Sequence, residues 1–306
     1  MAGTFCRFRQ SVRRVFPECL SIEARILYRQ IMDNTTLTFI GGGNMAVSLI
    51  GGLIADGWDP RLITVSDRDQ LQLDKLRQRF GIVTNQDNQA AATGASIVLL
   101  AIKPQIVESV ARELAELLSR QHSLVISIAA GIRTDALRNW IGAHAAIVRS
   151  MPNTPALVQS GATALYANAA VTAEQHDIAE SILRAVGLTI WVEDESLMDA
   201  VTALSGSGPA YFFLFMEALQ KAGCALGLPE QTARLLTLQT ALGAAKMAIE
   251  STEDAATLRR RVTSPGGTTE RAIQTFQQHN FDELVSQALE AAAARSRELA
   301  EQFGKQ

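Results

Sequence analysis

The chain has 306 residues, of which 47% are hydrophobic and 19% charged, with a net charge of −3, enough apolar material for a sizeable core and more often for two domains than one. That charge gives no support for nucleic acid or a membrane surface as a partner, and no run approaches the roughly 18 apolar residues of a membrane-spanning helix. Three cysteines (Cys6, Cys19, Cys224) cannot build a disulfide framework and the four histidines lie far apart, so a reducing, cytoplasmic compartment and no metal site are expected.

The first residues differ from the rest. "MAGTFCRFRQSVRRVF" carries Arg7, Arg9, Arg13 and Arg14 with no acid until Glu18. Without an apolar h-region it is not a secretory signal peptide, although its arginine content admits a mitochondrial-type presequence. The plainer reading is a disordered arm over 1–35, or an upstream start ahead of Met32, with the fold beginning at Thr36.

"TLTFIGGGNMAVSLIGGLIADG" then runs from a strand (Thr36–Ile40) through a glycine turn into an apolar helix that ends near Gly57. The turn reads Gly41-x-Gly43-x-x-Ala46, the dinucleotide-binding fingerprint. Gly41 permits the tight turn, Gly43 lets backbone approach a pyrophosphate, and Ala46 keeps helix and strand close. The N–H groups at the helix start face the phosphates. A second strand, Leu62–Ser66, follows at βαβ spacing and ends Ser66-Asp67-Arg68. Ser66 and Arg68 suit a 2′-phosphate and favour NADPH; Asp67, if it points inward, favours NADH, which remains possible.

"ASIVLLAIKP" (Ala95–Pro104) is a continuous apolar strand of the kind covered on both faces. "HSLVISIAAG" (His122–Gly131) and "HAAIVRSMPNTP" (His144–Pro155) follow. The loops at the carboxyl ends of these strands, Lys103-Pro104-Gln105, Ala129-Ala130-Gly131 and Pro152–Pro155, lie on the edge where an open parallel sheet binds ligands. "GATALYAN" and "LTIWVEDE" read as two last short strands, ending near Glu195.

After Ser196 the pattern is helical. A break is expected at Ser205-Gly206-Ser207-Gly208-Pro209, with Pro209 in the first turn of the following helix. Pro229–Ser251 is a long helix apolar around much of its circumference, which implies burial on several sides and a partner subunit. Two helices flank "TSPGGTT" (263–269), and a last one spans roughly Asp282–Gln302. In that stretch Pro265 stops a helix, Gly266 and Gly267 free the backbone, and Thr268 and Thr269 are placed to cap the next helix. Its free N–H groups and two hydroxyls suit a small carboxylate. Ser205–Gly208 offers a second polar wall, and Arg259-Arg260-Arg261 adds favourable potential. No His, Asp or Glu is expected beside the glycine turn.

At "LSGSGPAYFF" and "RRRVTSPGGTTERAI" the chain resembles the pyrroline-5-carboxylate reductases. The resemblance extends from Phe39 to about Ala300 through "FIGGGNMA", "AIKPQ", "SIAAGI", "RSMPNTPA", "LQTALGAAKM" and "VTSPGGTT". It implies an α/β Rossmann-type dinucleotide-binding domain (36–195) followed by an all-α dimerisation and substrate-binding domain (196–306), as a homodimer or a ring of dimers. The implied reaction is NAD(P)H-dependent reduction of 1-pyrroline-5-carboxylate to L-proline by hydride transfer to the C=N carbon, the final step of proline synthesis. The resemblance places the cofactor phosphates on Gly41, Gly42, Gly43, Asn44 and Met45. It places the adenosine phosphate near Ser66 and Arg68, with Asn88 near the adenosine. The nicotinamide falls against Ala101, Ile102, Lys103 and Pro104 and the loop Ala129, Ala130 and Gly131. The substrate falls on Ser264, Gly266, Gly267, Thr268 and Thr269, with Ser207 beside them. Thr269 matches the family threonine whose hydroxyl lies near the ring nitrogen and is the expected catalytic residue, as an orienter rather than a full general acid, since a cyclic imine can be protonated before it binds.

Two other readings compete. A β-hydroxyacid dehydrogenase of related architecture needs a lysine general acid, for which Lys246 is the candidate. A non-catalytic NADP-sensing or pyridoxal-phosphate-binding protein has no need of a carboxylate cradle.

Overall fold

The computed structural model describes residues 35–304; the basic arm and its two cysteines lie outside the described residues. The first half alternates strand and helix: β1 (Leu37–Ile40), α1 (Asn44–Ala55), β2 (Ile63–Ser66), α2 (Gln70–Phe80), β3 (Val83–Asn85), α3 (Asn88–Ala92), β4 (Ile97–Leu100), α4 (Pro104–Gln121), β5 (Leu124–Ser127), α5 (Thr134–Ile141) and β6 (Ile147–Met151). Local chemistry sets several boundaries. The Asp69 carboxylate accepts from the N–H groups of Leu71 and Gln72 to start α2, Asp87 does the same for Ala90 at α3, and Pro104 opens α4, where its missing N–H costs nothing.

The strands form one sheet in the order β3-β2-β1-β4-β5-β6-β7-β8, where β7 is Gly161–Ala167 and β8 is Gly187–Trp191. From β3 to β6 all pairs are parallel. Strands β1, β4 and β5 are buried at every position, as two covered faces require. Alternate residues serve two cores: Leu37, Phe39 and Leu99 join one, and Ile40, Val98 and Leu100 the other.

Two features depart from the sequence reading. Strand β3, three residues long with an exposed Val83, was not expected. And β7 pairs antiparallel with β6, because the connection holds only the short turn Thr154–Val158, whereas a parallel return needs a crossover of a dozen or more residues. Helix α6 (Ala173–Arg184), started by a reciprocal Thr172–Gln175 cap, then supplies such a crossover, and β8 lies parallel to β7.

The break in packing comes later than the expected 195/196 boundary. Among the described residues, those up to Gly206, together with those from Ala293 onward, form one compact unit, and Ser207–Ala292 form the other. Helix α7 (Leu197–Val201) stays with the sheet through the buried Met198. The Ser296 hydroxyl, on the last helix α12 (Phe281–Gly304), donates to the buried Asp199 of α7 at 2.6 Å. The second unit contains α8 (Gly208–Ala225), α9 (Glu230–Glu250), α10 (Ala255–Arg261), α11 (Thr268–Gln278) and the start of α12. The expected burial of α9 on several sides is not supplied by the chain itself. Phe212, Phe213 and Leu214 of α8, and Leu235, Leu236, Leu242 and Ile249 of α9, each stay more than half exposed, a larger apolar surface than soluble monomers usually show.

Candidate active site

Strands β2 and β3 lie to one side of β1 while β4, β5 and β6 lie to the other, so the strand order reverses between β1 and β4. Open α/β sheets bind ligands outside the carboxyl ends of the strands at such a point. The glycine turn leaves β1 there. Gly41 has φ +103°, and a Cβ on it would stand 2.4 Å from the Ala101 carbonyl oxygen at the end of β4, so only glycine fits. Gly43 is exposed, with no protein atom within 4 Å of its Cβ position, which leaves room for a phosphate to reach the backbone. It caps α1 without a side-chain hydrogen bond, and the first amides of a helix have no helical acceptor. Ala46 is fully buried against the core. The turn fits a dinucleotide pyrophosphate.

Gly42 is held from both sides. Its N–H donates to Asp67 Oδ2 at 2.8 Å, and its carbonyl accepts from Gln72 Nε2 at 2.6 Å. Asp67 Oδ1 also accepts from the Asp69 N–H at 3.0 Å, so this carboxylate points inward. That corrects the expectation of no acid beside the turn. Ser66 is buried, and its hydroxyl donates to Asn88 Oδ1 at 2.7 Å, while Asn88 Nδ2 reaches Glu113 Oε2 at 3.3 Å. The two residues face each other. Arg68 is exposed, and no hydrogen bond or ion pair to another described residue occupies its side chain.

On the other side of β1, the Ala101 N–H bonds to the Ile40 carbonyl and Lys103 caps α4 with its side chain exposed. The Ala129–Gly131 loop follows β5. Ala129 is buried, and Gly131 takes φ +76°, where an added Cβ would stand 3.4 Å from Phe303 and 3.5 Å from Leu299 of α12. The far end of this loop is tied by a network that sequence reasoning missed. Glu195 accepts from the Thr134 N–H at 2.8 Å, from the Thr134 hydroxyl at 2.6 Å and from Arg149 Nη1 at 3.0 Å. Helix α5 has no side-chain cap of its own from Arg133, so a carboxylate 61 residues away does that work. The one signal available was Arg149 itself, a charge inside the apolar run "AAIVRSM".

In the helical unit, Ser264-Pro265-Gly266-Gly267 is a tight turn closed by the Gly267 N–H on the Ser264 carbonyl at 3.0 Å. Gly266 takes φ +74° after a proline, the signature of a type II turn. The cap of α11 is Gly267 rather than a threonine. Thr268 and Thr269 therefore enter the first turn, where their N–H groups lack helical acceptors and their hydroxyls bond to no described residue. Glu270 Oε2 accepts from the Gly266 N–H at 2.8 Å, a second acid beside a glycine turn. A Glu at the third helical position commonly reaches back in this way, so the "TTE" order was the readable signal. Of the arginine triplet, Arg261 is paired with Glu253 at 2.7 Å and Arg260 bonds to the Thr257 hydroxyl. Lys246 is exposed on α9, 3.8 Å from Glu250.

Residues 195–299 match the family model described as pyrroline-5-carboxylate reductase dimerisation, and residues 36–131 match that described as NADP oxidoreductase, coenzyme F420-dependent. A pyrroline-5-carboxylate reductase of Pseudomonas aeruginosa is 52% identical over 274 residues, covering 90% of this chain and 100% of that protein. The chain belongs to the pyrroline-5-carboxylate reductase family. A solved member of the family from Coxiella burnetii superposes with a TM-score of 0.84 at 50% identity, covering 87% of this chain and 98% of that one. The Plasmodium falciparum member, solved with NADP bound, superposes at 0.78 with 30% identity, covering 88% and 99%. The apolar surfaces of α8 and α9 fall within the residues matched by the dimerisation model.

Proposed function

We propose that the chain reduces 1-pyrroline-5-carboxylate to L-proline with NADPH, NADH being the alternative, as the last step of proline synthesis. The observation that carries this reading is the pairing of a dinucleotide turn at the sheet's switch point with the donor-rich Ser264–Thr269 turn in a chain of this family. A reduced dinucleotide with its pyrophosphate at the glycine turn would supply the hydride for the C=N carbon, while a proton ends on the ring nitrogen. The amides of Gly43, Asn44 and Met45 hold the pyrophosphate, and Ala101–Pro104 with Ala129–Gly131 bound the nicotinamide. The amides of Gly267, Thr268 and Thr269 take the substrate carboxylate, with Ser264 and Ser207 beside it. The Thr269 hydroxyl, without a partner among the described residues, orients the ring nitrogen. Catalysis then rests mainly on holding the reacting atoms about 3–3.5 Å apart. The exposed Lys246, paired with Glu250, is poorly placed as the buried general acid of a hydroxyacid dehydrogenase.

Purified protein is expected to oxidise NADPH rapidly only when the pyrroline is present. Oxidation of neither NADPH nor NADH by folded, cofactor-binding protein would refute the assignment. Running both cofactors also weighs the inward carboxylate of Asp67 against the free guanidinium of Arg68. Thr269→Val should lower turnover roughly 10²-fold, the scale of a small misplacement of reacting groups, with NADPH affinity kept; unchanged turnover removes Thr269 from the mechanism. We further propose that the protein works in the cytoplasm as a homodimer or a ring of dimers. No helix among the described residues is long and apolar enough to cross a membrane, and the exposed faces of α8 and α9 call for a second copy.

A further inference from the structure

Between α7 and α8 the chain first widens into a π-turn at Thr202–Gly206, a feature that concentrates at functional sites, and then breaks at Ser207, a bend that caps α8, within the stretch where the glycines had suggested a break. In a helix each carbonyl accepts from the N–H four residues on. For Ser205 that residue is Pro209, which has none. The next amide, Ala210, bonds to the Ser207 carbonyl at 3.0 Å instead. Asn153, 52 residues earlier, supplies what Pro209 withholds: its Nδ2 lies 3.3 Å from both the carbonyl and the hydroxyl oxygen of Ser205. The orientation of the amide is decided by its other end, because Asn153 Oδ1 accepts from the Ala162 N–H at 2.9 Å. The NH₂ group therefore has to face Ser205. Met151 packs beside it on Gly206, where a Cβ would stand 2.4 Å from Met151 Cε.

We propose that Asn153 is a positioning residue: by giving the Ser205 carbonyl its donor, it sets the direction in which Ser207, two residues on, presents its hydroxyl to the substrate carboxylate. This rests on the reading that Ser207 meets the substrate. Pro209 and Asn153 then form one device. The proline removes a main-chain donor so that the π-turn can be held from the strand side, and the amide takes the donor's place.

The test uses the full chain, with steady-state rates at varied pyrroline-5-carboxylate and a separate NADPH titration followed by fluorescence. Asn153→Asp keeps the shape and the acceptor for Ala162 but turns an acceptor towards the Ser205 carbonyl. The KM for the pyrroline should rise about tenfold, the scale of one lost hydrogen bond, while kcat and the NADPH dissociation constant stay near their original values. Adding Pro209→Ala restores an N–H four residues after Ser205 and should bring KM most of the way back, which general damage to the fold would not allow. Ser207→Ala alone should raise KM similarly, and combined with Asn153→Asp it should add little, because the two act on one contact. An unchanged KM in Asn153→Asp, an equal loss of NADPH affinity, or full additivity with Ser207→Ala overturns the proposal while leaving Ser207 on the substrate. A Ser207→Ala variant with unchanged KM overturns the underlying reading and the proposal together. If the aspartate variant does not fold, Asn153→Ser, which removes the reach without adding charge, gives the same readings.

Discussion

Gly43→Ala is expected to leave the melting temperature unchanged and to weaken NADPH binding tenfold to roughly 100-fold. No protein atom lies within 4 Å of the position its Cβ would take, so the folded chain has room for the methyl group. In the proposed binding mode the same space is where the pyrophosphate approaches the backbone, and forcing a methyl group into a packed contact costs about 1–3 kcal/mol, a span that brackets tenfold and 100-fold in the dissociation constant. Gly41→Ala separates the two effects. At φ +103°, with the Ala101 carbonyl oxygen 2.4 Å from the new Cβ, alanine at 41 must push β1 and β4 apart at their carboxyl ends. That variant should lose stability as well as cofactor binding. Calorimetry and a fluorescence titration on both variants make the comparison. NADPH affinity in Gly43→Ala equal to that of the parent would show that the phosphates do not lie on this turn.

Glu195→Ala should destabilise the sheet unit strongly, lowering the melting temperature by roughly 10 °C. Arg149 sits in the middle of β6 with only 4% of its side chain exposed, 3.0 Å from Glu195. Removing one partner of a buried ion pair leaves an uncompensated charge and typically costs about 3–5 kcal/mol, and in a chain this size each kcal/mol moves the transition by a few degrees. The Thr134 N–H at the start of α5 loses its acceptor in the same step. The double variant Arg149→Met/Glu195→Leu removes both charges and should recover most of the loss, because apolar replacements of a buried pair are often neutral. It should not recover the cap, worth about 1 kcal/mol. If Glu195→Ala melts like the parent, the pair is not holding β6 to the helices around it. A double variant no better than the single would place the cost in packing volume rather than in charge.

Much of the fold was readable from local pattern. Continuous apolar runs announced β1, β4 and β5, and "GGGNMA" after the first of them announced the cofactor turn. Asp69, Asp87 and Pro104, which the sequence reading did not assign as helix starts, begin helices where short-range rules would have placed them. The errors had local causes too. Strand β3 is three residues with an exposed valine, too short for any periodicity. The threonines after Gly267 looked like caps because Ser and Thr favour that position. The left-handed Gly266 moves the helix start one residue earlier, which leaves both hydroxyls free for a ligand.

Local sequence pattern was enough for most of the elements, the glycine fingerprint turn after β1, the donor-rich Ser264–Thr269 turn and, through the motif blocks, the family. These are properties of short contiguous segments, where backbone conformation follows from neighbours a few residues away. Tertiary structure alone decided which groups are consumed by the fold and which remain available to a ligand. Asp67 and Gln72 grip Gly42, Ser66 spends its hydroxyl on Asn88, Glu195 caps a helix 61 residues away, and Asn153 replaces a donor that Pro209 lacks. Each of these partnerships joins segments distant in the chain. No spacing rule encodes them, because they arise from the requirement that buried polar groups be paired with whatever the packed sheet and helices bring within reach.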